Sequence, residues 1–329
     1  MAESFFRQGV LKRAWSLTWT HKSLWFFGLF AAILAIGEEY DLLLRNVDIL
    51  DSVQRRLDQW RIIAQQGLAT PFINDLGTFL RTNVLGSATI ALTWLLSILA
   101  LAWLIIVSQS ALIEGARRHE NGKSLNLLEG FDVGMANFWP VFLLNVIAKV
   151  FVYGALLIVI VPLGLAYIKT GNHTVAVITA LWTFVVLFPI IAVVAFVTRF
   201  AGAYIVIKRF PVRQAIAAAI SLFRRHWLVT LELALILMVI SFLAIYTVVA
   251  TLMVASGFPN LSTGGYLTFL VLLGFLFAWL TTFKFAAWTH LFLRLEEGNA
   301  PSKLRRIIHY VLGVHSELPS KPVITRAGR

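Results

Sequence analysis

Three charged side chains stand inside long apolar runs, and they are the residues of this sequence best placed to do chemistry: Lys149, Glu232 and Lys284. A charge at the centre of a membrane helix costs roughly 2.5–3.5 kcal/mol on insertion scales. Such residues are therefore rare, and they mark helix-to-helix glue or ion and proton pathways. At about 1.5 Å of rise per residue, Lys149 lies about 15 Å beyond Trp139, Lys284 a similar distance from Arg294, and Glu232 about 7–8 Å beyond Trp227. A lysine stem reaching toward the interface brings its ammonium to the depth of Glu232. Asn145 sits one turn from Lys149 on the same face. Asn145, Lys149, Glu232 and Lys284 thus form a candidate intramembrane polar cluster, either glue between helices or a proton or solute site. The competing reading is that each lysine snorkels alone to the interface. Both stay open at this point.

Other chemistry is missing from the sequence. There is no Gly-Lys-Ser/Thr phosphate loop, no Gly-x-Ser-x-Gly elbow and no His-Glu-x-x-His pair. The histidines, at 21, 119, 173, 226, 290, 309 and 315, are dispersed, and none pairs at helical spacing with another His, Asp or Glu on one face of a span. Cysteine is absent, which excludes thiolate metal sites and a cysteine nucleophile. The expectation is a protein that is not an enzyme, with no catalytic residues, no cofactor and no metal.

The elements that position these residues follow from hydropathy. The chain has 329 residues, 59% of them hydrophobic and 13% charged, against about 45–50% and about 25% in soluble domains. Too few charges remain to cover a water-soluble surface, so the composition is that of a polytopic membrane protein. A spanning helix needs roughly 20 apolar residues. Val84–Ile113, Pro140–Tyr167, Val175–Val197, Trp227–Ala255 and Tyr266–Phe292 meet this. Lipid offers the backbone no hydrogen-bond partners, so these are helices. A sixth run, Leu24–Ile36, is shorter and spans only if its helix starts near Leu17; a re-entrant or tilted short helix is the rival. The same region has the order of a signal peptide, with Ala35-Ile36-Gly37 as a cleavage sequence. The patterned Trp15, Trp19 and Trp25 favour its retention.

Alternate connections carry 20 Lys+Arg on one side and 6 on the other. The positive-inside rule then places both termini in the cytoplasm, which six spans fit; five spans, left after cleavage at Gly37, would start outside and fit the same count. The net charge of +12 is scattered along membrane borders. It speaks for anionic lipid headgroups on the cytoplasmic side, worth about 1 kcal/mol per basic residue near the surface, and against nucleic acid.

Three spans follow basic or amphipathic segments ending on a tryptophan: Leu11 to Trp25, Leu127 to Trp139, and Arg213 to Trp227. Each reads as an interfacial helix leading into a helical hairpin. The fold class expected is an all-α integral membrane protein with six transmembrane helices in three such repeats. Residues 1–329 form one membrane domain, with an N-terminal interfacial segment at 1–23, an extracytoplasmic amphipathic segment at 38–82 and a cytoplasmic tail at 294–329 carrying a short surface helix, Pro301–Val311. The outer segment repeats Leu43, Val47, Leu50, Leu57 and Trp60 at helical spacing. It serves as a cap on the bundle or as a face for protein partners. Two outer loops carry Asn172-His173-Thr174 and Asn260-Leu261-Ser262, which match the glycosylation sequon but lie too near the membrane for that role.

The Trp-rich start with His21-Lys22-Ser23-Leu24-Trp25, and Tyr204-Ile205-Val206 followed by Ala215-Ile216 and Trp227, resemble a loose group of prokaryotic multi-pass membrane proteins. That group includes the membrane domain attached to some glycerophosphodiester phosphodiesterases. The resemblance implies a multi-helix fold in a prokaryotic plasma membrane. The phosphodiesterase barrel has no counterpart in this sequence, so hydrolase activity is not implied. Two functions fit: a non-enzymatic scaffold or lipid- and partner-interacting bundle, and a transporter or permease-like component with a polar site in its cytoplasmic half. Pro189 and the Pro162/Gly164 pair are where the second would break its helices.

Overall fold

The computed structural model describes residues 9–35, 84–170, 173–256 and 263–297. These form eight α-helices: α1 (Leu11–Thr20), α2 (Leu24–Ala35), α3 (Val84–Glu120), α4 (Leu127–Ala136), α5 (Phe138–Thr170), α6 (His173–Lys208), α7 (Val212–Ser256) and α8 (Thr263–Glu296). No strand occurs among the described residues. Five of the helices, α3 and α5 to α8, are long and apolar enough to cross a membrane. Each contains one of the five clear runs of the sequence. The fold is that of an all-α multi-pass membrane protein. The segment 38–82, the Pro301–Val311 helix and most of the tail lie outside the described residues.

The sixth run takes a different course from the one needed for a continuous span. The chain does not run as one helix from Leu17; α1 stops at Thr20 and α2 begins at Leu24. His21 leaves helical geometry at φ −115°, ψ 70°, while its N–H still donates to the Leu17 carbonyl, 3.0 Å. The corner is pinned from both sides. The Trp25 indole N–H donates to the Thr18 carbonyl at 2.8 Å, and the Ser23 hydroxyl donates to the Leu125 carbonyl at 3.2 Å. The described part of α2 has 12 residues, and Ile36 with the residues after it lies outside the described residues.

A short helix, a break and a long helix recur later in the chain. Asn137 separates α4 from α5, and His226 (φ −128°, ψ 26°) kinks α7 immediately before Trp227. The stretch of α7 before this kink does not stand apart from the bundle. Ala215, Ala219 and Leu222 are buried, and Phe223 stacks on Phe196 of α6 with ring centroids 5.7 Å apart. Among the described residues, α2 packs on α3, α5 on α6 and α6 on α7, while α8 lies chiefly against α1, α2 and α3. Both α5 and α6 continue through Pro162 and Pro189.

Two glycines allow close crossings. A Cβ on Gly28 of α2 would strike the Ala278 carbonyl and the Thr282 hydroxyl of α8, and one on Gly134 of α4 would strike the backbone of α3 at Val107. Removing the side chain is what lets backbones approach this closely in apolar surroundings. The principal core lies toward the α3–α4 and α6–α7 turns, around Phe27, Leu112, Phe200, Leu233 and Phe292. Toward the opposite end the helices expose apolar side chains such as Trp94, Ile158 and Tyr246, as lipid-facing surfaces do.

Candidate functional site

Between α3, α5, α6 and α8 lies a cavity of about 50 Å³ whose polar lining comes from Gln109, Asn145, Thr198, Arg199 and Thr289, beside Trp288. Since one water needs roughly 10–15 Å³ on this scale, the space admits several waters or one small polar group. Asn145 enters from α5. Its amide N–H donates to Gln109 Oε1 across the helix gap at 3.0 Å and to its own helix at the Val141 carbonyl, 2.9 Å. Gln109 is buried, and with its oxygen so used it keeps its N–H donors. Arg199 comes from α6, with its guanidinium 5.2 Å from the centre of the Trp288 ring. That distance is within the range of a cation–π contact, worth about 0.5–2 kcal/mol.

Arg199 corrects the sequence reading. The expected span ended at Val197, which put Arg199 in the following basic connection. Instead α6 continues for nine residues beyond it, to Lys208, so Arg199 stands about 13–14 Å inside the helix end. Removing it from the count of connecting basic residues leaves the imbalance between the two sides intact. The physical reason is that the apolar run resumes at Phe200 and continues to Ile207, and the bundle interior gives the guanidinium an aromatic face.

Of the four residues expected to cluster, Asn145 lines this cavity. Lys149, one turn further along α5, is exposed. Glu232 and Lys284 are half-buried on α7 and α8, and each is engaged by neighbouring groups. Gln109 and Arg199 are additions that sequence reasoning missed.

A second polar assembly occupies the end of the bundle where α3 meets α1, α4 and α8. Glu114 accepts two hydrogen bonds from Arg117, at 2.7 and 2.5 Å, and one from Arg118 at 3.1 Å. Arg118 also pairs with Glu129 of α4. Glu120 pairs with Arg13 of α1, and its other oxygen lies 3.0 Å from Nδ1 of the buried His290 on α8, off the axis of a hydrogen bond. Across the bundle, Lys208 pairs with Glu296 and so ties α6 to α8. The histidines are less dispersed than the sequence implies. His119 lies between His21 and His290, with ring centroids 5.1 and 6.3 Å away. No signal in the sequence places them together, because they come from three separate helix ends. Among the described residues no group of three or more His, Asp or Glu is arranged to hold a metal ion.

The Arg13–Glu120 pair is partly exposed, so it falls in the range of about 0.2–1 kcal/mol measured for surface pairs. Glu120→Ala is expected to lower the melting temperature in detergent by only about 1–3 °C. Exchanging the charges, Arg13→Glu with Glu120→Arg, should recover part of that loss, which a double-mutant cycle reads directly.

Comparison with known protein families, characterised proteins and solved structures finds no match to this chain. Function must be argued from the site.

Proposed function

We propose that this protein is a non-enzymatic multi-pass membrane bundle that engages lipid headgroups, and through them or through residues 38–82 other membrane components. The observation that carries this reading is α1. It buries Ala14, Leu17 and Thr18 against the bundle and turns Lys12, Trp15, Ser16 and Trp19 outward. Cations beside exposed indoles on one helix face are the chemistry of an anionic headgroup layer. The Trp15 and Trp19 rings continue into Trp279 of α8, at 5.4 and 6.5 Å, so the face is braced by the core. The resemblance to prokaryotic membrane domains agrees with this reading and adds no activity.

The orientation proposed with it has α1 and the α3–α4 and α6–α7 turns on the cytoplasmic side of a plasma membrane, with six spans arranged as three repeats. Reporter fusions after Lys123 and Arg213 should report inside, and fusions after Thr170 and Gly264 outside. For the lipid reading, delipidated protein is expected to gain more thermal stability from phosphatidylglycerol than from phosphatidylcholine, and Lys12→Gln with Lys22→Gln to reduce that difference. Equal stabilisation by the two lipids would overturn it. A permease-like component is the second reading, favoured by the polar cavity. It predicts solute-dependent flux in proteoliposomes, which the first does not.

A further inference from the structure

We infer that His290, Glu120 and Arg13 form a proton-operated latch: α1 is held on the bundle while the His290 ring is neutral, and a proton taken up from solvent loosens it. The inference rests on packing and charge at this junction and not on the lipid reading above.

The ring is buried and short of partners. His290 is 1% exposed, and neither of its nitrogens has a hydrogen-bond partner. The carboxylate beside it, Glu120, brings Oε2 to 3.0 Å from Nδ1, off the axis of a hydrogen bond and itself unpartnered. The other Glu120 oxygen is taken by Arg13 of α1. The further charges acting on the ring are both cations, Arg13 and Arg294. His119 lies next to it with ring centroids 6.3 Å apart, and His21 lies behind His119. The described part of α2 has no titratable residue. Among the described residues no charged side chain of α6 or α7 interacts with His290.

These surroundings suit a neutral ring and not a charged one. Burial disfavours a charged imidazole, and neighbouring cations oppose it further. A proton added at the nitrogen that lacks one makes both nitrogens donors. The compensation within reach is for Nδ1–H to turn onto Glu120. Glu120 is also the partner of Arg13, so α1 then shares its counter-ion and faces a new cation. α1 is the element placed to respond. It has 10 residues, packs mainly on α8 with a lesser contact on α3, and seats through Ala14, Leu17 and Thr18.

The chain has no cysteine, so single introduced thiols report on α1 in the full-length protein. Thr18→Cys places one on the buried face and Ser16→Cys one on the exposed face. The ratio of their labelling rates with a methanethiosulfonate reagent in detergent corrects for the pH dependence of the thiol. An ordinary imidazole titrates near pH 6.5, so at about pH 5.5 a single proton should weaken docking about tenfold, and the ratio should rise by that factor from its value at about pH 7.5. In His290→Gln and His290→Phe, which cannot take the proton, the ratio should stay within about twofold over the same range. His119→Gln should leave the response in place. Arg13→Gln removes a cation facing the ring and should shrink the response, whereas Glu120→Gln removes the carboxylate beside it and should enlarge it. A ratio that does not change with pH in the otherwise unaltered chain overturns the latch. So does a rise retained in the His290 variants, or one lost in His119→Gln and kept in His290→Gln. Should both His290 variants fail to fold, the opposite shifts of Arg13→Gln and Glu120→Gln decide, and shifts in the same direction overturn it.

Discussion

Gly28→Val is expected to be among the most damaging single substitutions in this protein, lowering stability in detergent by about 3 kcal/mol or more and the melting temperature by roughly 5–10 °C. The cause is geometric. A Cβ on Gly28 meets the backbone carbonyl of Ala278 as well as the Thr282 hydroxyl. A side chain can rotate away, but a carbonyl held within a helix cannot. The Thr282 hydroxyl already spans this crossing, donating to Ala278 at 2.8 Å and approaching the Leu24 carbonyl at 3.3 Å. Thr282→Ala should therefore fail to rescue Gly28→Val, because the backbone clash remains. Gly202→Ala makes a fair comparison, since its Cβ would meet only side chains at ordinary contact distance, and it should cost under about 0.5 kcal/mol. If Gly28→Val and Gly202→Ala melt together, α2 does not seat against α8 as described.

This seam also shows what the sequence could reveal and what it could not. The five long helices were legible because about 20 consecutive apolar residues admit no other structure in lipid. Their partners were not. The apolar faces of α2 and α8 look alike to any hydropathy measure, and the pairing is decided by a missing Cβ at Gly28 opposite a small residue, Ala278. Within the site, Asn145 was legible as a polar residue in an apolar run, and it does bind across helices, to Gln109. Arg199 was lost because a charge at the edge of a run reads as its end. Only the resumption of apolar residues from Phe200 to Ile207 signals that the helix goes on. The grouping of His21, His119 and His290 could not have been foreseen, since three helix ends are brought together only by packing.

Glu232 carries the other large expected effect. It is half-buried on α7, six residues past the His226 kink, within a candidate span. An isolated carboxylate there would protonate or find a cation, and Glu232 is engaged. Truncating one member of a buried ion pair strands the other, at a cost of about 3–5 kcal/mol when burial is complete. Half-burial reduces that, so Glu232→Ala should cost about 2 kcal/mol. The two lysines of the sequence-derived cluster then separate by exposure. Lys149 is exposed on α5, where its stem can carry the ammonium toward the interface, and Lys149→Ala should change stability by less than about 0.5 kcal/mol. Lys284 is half-buried and engaged on α8. The cycle of Glu232→Ala with Lys149→Ala is therefore expected to be additive, and the cycle with Lys284→Ala to show a coupling of about 0.5 kcal/mol or more. Coupling in the first cycle and none in the second would reverse the assignment. Strict additivity in both would mean that the intramembrane charges act singly, with each lysine reaching the interface by itself and Glu232 answered by a group outside the cluster.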